Sequence, residues 1–218
     1  MRKRLCLYFL LLLGVSLSAV GRTKAPIRVA CIGNSITYGY GLQDRDREAY
    51  PVLLQQFLGA KYQVENFGKS GATLLARGHR PYFQQEEYHR ALAFRPDIAV
   101  IHLGVNDTDP RNWPNYRDDF IPDYRHLIDT LRSISPRVRI LIARTTPIGV
   151  EHHRFESGTR DWQIQIQQAI EHVAETAGVE LIDFHSPLYP FPHYFPDAVH
   201  PTAPGTRILA ETAYRAIS

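Results

Sequence analysis

The sequence is poor in cysteine, in net charge and in long apolar runs. It has two cysteines in 218 residues, Cys6 and Cys31. The formal charge is +3, from 25 basic and 22 acidic residues, and Arg2, Lys3 and Arg4 account for that whole surplus. The rest of the chain is near neutral, which removes the electrostatic case for nucleic acid or a membrane surface as partner. No internal repeat, low-complexity tract or interdomain linker is present. Hydrophobic residues make up 44%, which excludes a disordered chain and a multi-span membrane protein. The length suits one domain with a sizeable core.

The one marked apolar run, Leu5 to Val20, follows Met1-Arg2-Lys3-Arg4 and leads into small residues. That is the layout of a secretory signal peptide. The run is short for a membrane span. Cys6 precedes most of it and is badly placed for a lipoprotein cysteine. Small residues suit cleavage after Ser18 or Gly21. The expectation is a signal peptide over 1–21 and a domain over 22–218, periplasmic or extracellular, with no stable membrane association after cleavage. Cys31 is then alone, so no internal disulfide can form despite the exported context. It reads as a small core residue.

The mature chain alternates strand-like and helix-like segments, which predicts a parallel sheet covered by helices. Strands are expected at Ile27–Ile32, Tyr62–Phe67, Asp97–Leu103, Val138–Ala143 and Val179–Ile182. Helices are expected from Pro51 to Leu58, from Asp118 to Ile134 with Pro122 starting or kinking it, around Trp162 to Val173, and from a capping Thr202 to Ile217. Gln43 to Glu48 reads as a polar loop.

Four stretches carry chemistry. Gly33-Asn34-Ser35-Ile36 follows the first strand and aims a hydroxyl from the carboxyl edge of the sheet, where open α/β sheets bind ligands. Ser35 is a nucleophile if a base is supplied; otherwise it caps a helix. The turn around Gly71 can present N–H groups to an anion. Gly104-Val105-Asn106-Asp107 ends the third strand and puts a polar side chain at the same edge. Asp197 and His200 are spaced to meet on one side of a local turn, so that the carboxylate holds Nδ1–H and leaves Nε2 free to take a proton. Glu151-His152-His153 reads as a solvated loop, because adjacent histidines point to different sides, and no metal or other cofactor is expected. His102 reads as buried and hydrogen-bonded. Trp113 and the run Tyr189–Phe195, with Tyr194, either pack on the core or offer flat faces for a sugar.

Taken in this order, the four blocks resemble the SGNH, or GDSL-type, serine hydrolases over nearly the whole mature chain. Asn34 stands for the more usual Asp and Ile36 for Leu. The resemblance implies a flavodoxin-like three-layer α/β/α fold with a five-stranded parallel sheet of order 2-1-3-4-5. It implies Ser35 as nucleophile, His200 as base, Asp197 as its partner, and an oxyanion hole from the N–H groups of Ser35 and Gly71 and the amide of Asn106. The blocks Gly104 to Trp113 and Asp197 to Gly205 look like those of bacterial carbohydrate and sialate O-acetylesterases. The expected activity is hydrolysis of short acyl esters, acetyl first, on a glycan or small molecule. Alternatives are a lipase, lysophospholipase or thioesterase of the same family, transfer to a second sugar, and an inactive glycan-binding domain.

Overall fold

A computed structural model describes residues 25–149 and 159–218. The expected signal peptide and Glu151-His152-His153 lie outside the described residues. Five strands form one parallel sheet: β1 Ile27–Gly33, β2 Tyr62–Gly68, β3 Ile98–His102, β4 Arg139–Arg144 and β5 Glu180–Asp183. Their order is 2-1-3-4-5, as expected.

The central strands are apolar on both faces because both faces are covered. Alternate residues separate into two cores. Ala30, Ile32, Ala99, Ile101, Ile140 and Ile142 face one way. Val29, Cys31, Ile98, Val100, Leu141 and Ala143 face the other. The first layer packs under α4 Glu86–Phe94, α6 Phe120–Ile134 and α7 Thr159–Ala177. Residues Tyr124, Leu127, Ile128 and Leu131 give α6 one wholly buried stripe. The second layer packs under α3 Tyr50–Leu58 and α8 Ala203–Ile217, which also touch each other. Fully burying one Leu side chain contributes roughly 1.5–3 kcal/mol, so Leu54 and Leu209 are worth that order each.

Some elements differ from expectation. Helix α4 was not legible, because only Tyr88 and Ala91 are buried in it. A single helical turn, α2 Arg45–Glu48, stands where a loop is expected, with no buried residue. Pro122 lies in the first turn of α6, so it starts that helix and does not kink it. Thr202 occupies the cap position of α8, but its side chain makes no cap bond. Two further short helices are α1 Ser35–Tyr38 and α5 Trp113–Tyr116. The loop after β2 passes so close to α1 that a Cβ on Gly68 would lie 2.2 Å from the Tyr38 nitrogen. Only glycine fits there.

Candidate active site

The chain places its four chemical stretches at one end of the sheet, where β1 separates β2 from β3. That is the topological switch point, where the crossovers leave in opposite directions and a crevice opens. Asn34 follows β1 and caps α1: its Oδ1 accepts from the Ile36 N–H at 2.9 Å. The substitution of Asn for Asp thus keeps an acceptor at the cap. Ser35 is the first residue of α1 and is 6% exposed.

His200 stands before α8 and reaches back across the sheet edge. Its Nε2 lies 2.8 Å from Ser35 Oγ. Its Nδ1 lies 2.5 Å from Asp197 Oδ2. A carboxylate only accepts, so Nδ1 carries the proton and Nε2 accepts from the serine hydroxyl. The other Asp197 oxygen, Oδ1, accepts from the backbone N–H of Val199 at 3.0 Å and of His200 at 2.7 Å. Partial burial raises the Asp197 carboxyl, but its hydrogen bonds from His200 and Val199 prevail and hold it below the usual range. The turn needs Ala198 at φ 65, a left-handed conformation uncommon outside glycine. The expected Asp–His–Ser row is therefore brought together by geometry.

The turn bearing Gly71 is strapped to the segment after β3. Asn106 Nδ2 donates to the Ala72 carbonyl at 2.9 Å. Asp107 accepts from the N–H groups of Leu74 at 3.0 Å and Leu75 at 2.8 Å. Asn112 Oδ1 accepts from the His79 N–H at 2.9 Å, and Asp123 accepts from that of Ala76 at 2.7 Å. Burial pushes the Asp107 carboxyl up to about 6, against the pull of the Leu75 and Leu74 donors. The sequence does not announce this brace, because its donors lie 33 and 32 residues away in the chain. Among the described residues, no group accepts from the N–H of Ser35 or Gly71. These two, with the second hydrogen of the Asn106 amide, are donors left over for an anion.

The aromatic expectations need correction. Trp113 is only 4% exposed, sits edge-on to Phe120 and donates its indole N–H to Gln165 at 2.8 Å. Helix α5 turns it into the core, so no face remains for a sugar. Tyr194 is half-buried against the second core and stacked on Phe191 with centroids 5.2 Å apart. The ring in contact with His200 is Tyr40, which the sequence did not single out. His102 is wholly buried, as expected, but its one side-chain hydrogen bond among the described residues is long: Nε2 accepts from the Thr146 N–H at 3.4 Å. Burial lowers its pKa to about 3, so it stays neutral. Burial likewise pushes the Cys31 thiol up to about 12, which leaves it an unreactive core residue.

A parallel α/β/α sheet with serine, histidine and aspartate in a row at its switch point defines a class, the serine carboxylic-ester hydrolases. Comparison with known proteins narrows it. Residues 31–208 match the GDSL-like Lipase/Acylhydrolase family, and the chain belongs to that family. An acetylxylan esterase of Xylanibacter ruminicola is 35% identical over 207 residues. The match covers 88% of this chain and 43% of that protein, so the chain spans less than half its relative's length. Among solved structures, a carbohydrate acetylesterase family member from Sinorhizobium meliloti superposes with a TM-score of 0.67 at 19% identity, covering 88% of this chain and 97% of that one. The M. smegmatis aryl esterase superposes with a TM-score of 0.67 at 18% identity, covering 88% and 98%. At these identities the two structures speak for the fold.

Proposed function

We propose that this protein is an exported esterase that removes acetyl groups from carbohydrate through Ser35, His200 and Asp197. The observation that carries the reading is the row of hydrogen bonds, with Ser35 Oγ 2.8 Å from an Nε2 whose ring is held by Asp197. A serine hydroxyl loses its proton only as it attacks, and Nε2 is placed to take it. The attack on the ester carbonyl forms a tetrahedral oxyanion, which the N–H groups of Ser35 and Gly71 and the Asn106 amide receive. His200 passes the proton to the leaving alkoxide, and the sugar hydroxyl departs. Water then enters and attacks the acetyl carbonyl as His200 takes its proton, and His200 returns that proton to Ser35 Oγ as the acetyl–serine bond breaks and acetate leaves. Prepositioned donors of this kind are each worth about 10²–10³ in rate.

The acetyl and carbohydrate parts of the reading rest on the relative named as an acetylxylan esterase. Export rests on the signal-like run from Leu5 to Val20. Acetylated xylan is the first substrate to try, beside a series of aryl esters from acetyl to butyryl to octanoyl. Activity on the series should fall with chain length. Each methylene that found apolar cover would add about 0.8 kcal/mol and reverse that order. A maximum at six carbons or longer would replace the acetylesterase by a lipid esterase. Ser35→Ala should lose on the order of 10⁴–10⁶ in kcat, and Asp197→Ala roughly a hundredfold less. Near-native turnover by Ser35→Ala would end the proposal.

A further inference from the structure

His200 has a neighbour that none of these steps employs. The ring of Tyr40 lies with its centroid 4.6 Å from that of the imidazole, inclined at 50°. Tyr40 is nevertheless 53% exposed, so one side leans on the histidine and much of the rest faces solvent. The position is built. The Tyr40 N–H donates to the Ser35 carbonyl at 2.9 Å. Gly39 and Gly41 on either side have φ of 91° and 83°, which glycine alone adopts without strain. A Cβ on Gly41 would lie 4.0 Å from that of His200, so the loop runs close past the base. The ring thus hangs from the carbonyl of Ser35 and rests against His200.

The chemistry decides which half of an ester meets that ring. The proton that Nε2 takes from Ser35 must go to the leaving oxygen. That oxygen therefore lies within hydrogen-bond reach of Nε2 during departure. The alcohol begins at this oxygen and extends past the imidazole, whereas the acyl group leaves the carbonyl carbon by its other bond. An exposed ring beside the imidazole can therefore border the alcohol. A flat face with little conformational freedom suits a rigid ring with a face of C–H bonds, as a pyranose has.

We propose that Tyr40 is a specificity-determining residue on the leaving-group side, packing its ring against the sugar from which the acyl group is removed. This rests on the esterase reading above. The test compares wild type, Tyr40→Ala, Tyr40→Leu and Tyr40→Phe on two acetyl esters. One is an acetylated xylo-oligosaccharide; the other is ethyl acetate, whose alcohol has no ring. The readout is the ratio of the two kcat/KM values. It should fall roughly two- to tenfold in Tyr40→Ala and Tyr40→Leu, through KM for the oligosaccharide, and return in Tyr40→Phe. Equal losses on both esters would overturn the proposal and leave Tyr40 a support for His200. An unchanged ratio would overturn it as well. Failure of the esterase reading looks different: wild type would hydrolyse neither ester, and the leaving-group argument would fall with it.

Discussion

Asn106→Ala separates two duties of one side chain. The amide has two hydrogens. One goes to the Ala72 carbonyl at 2.9 Å, and the other is the proposed donor to the oxyanion. Loss of an oxyanion donor costs about 2.7–4 kcal/mol in the transition state, or about 10²–10³ in kcat. Loss of the strap costs about 1–3 kcal/mol of stability, because Ala72 is fully buried and its carbonyl is orphaned. For a chain of this size that is a fall in Tm of roughly 2–12 °C. The two effects are separable because Asp107 still holds Leu74 and Leu75, so the Gly71 turn stays in place. Asn106→Asp should be worse on both counts, since it turns an acceptor toward the Ala72 carbonyl and toward the developing negative charge. The expected order of kcat is wild type, then Ala, then Asp. Initial rates on an aryl acetate give kcat and KM, and calorimetry gives Tm. A rise in KM at constant kcat would refute the reasoning, as would an Asp variant as active as Ala.

Three further outcomes are expected. Burial holds the Asp107 pKa at about 6 against an ordinary 3.8, so the folded state keeps a proton that the unfolded chain releases between those values. Its ionisation subtracts stability as pH rises through that window, by about 3 kcal/mol in all. The stability of Asp107→Asn relative to wild type should therefore rise from pH 4 to pH 7 in urea melts, and a constant difference would contradict this. Ala198 at φ 65 should tolerate glycine to within about 1 kcal/mol, whereas Ala198→Val should cost at least about 2 kcal/mol and displace His200. Equal melting points for the two variants would count against a strained turn. Trp113→Ala should lose about 3–5 kcal/mol of stability and keep the wild-type preference between glycan and aryl acetates, since the indole is core. A selective loss on the glycan would return Trp113 to the substrate.

The legible parts of the molecule were those written locally. Strands β1 and β3 are nearly continuous apolar runs, and such runs have few other uses in a short segment. Asp197 and His200 are three residues apart, so their pairing is a local turn. Helix α4 escaped because its apolar stripe is thin. Yet β1 and β3 are parallel to β2, and a parallel neighbour needs a crossover of a dozen residues or more, usually a helix. That constraint, applied to the stretch between Gly68 and Ile98, would have found it. Tyr40 and Asp107 escaped for another reason. Each is defined by a partner distant in sequence, His200 for one and Leu74 and Leu75 for the other. Trp113 misled because an aromatic after a chemical block looks the same whether its helix turns inward or outward.

Ser35 and His200 are 165 residues apart, and their contact closes almost the whole described chain. Chain closure on that scale costs about 4.5 kcal/mol in entropy beyond a constant. It is met by the packing of α8 on α3 and by the Thr206 hydroxyl, which donates to the Glu48 carbonyl at 2.7 Å. The base therefore depends on the seat of one helix. His200 stands three residues before α8, so any opening that lifts α8 from α3 also draws the imidazole away from Ser35 and leaves the serine without its base.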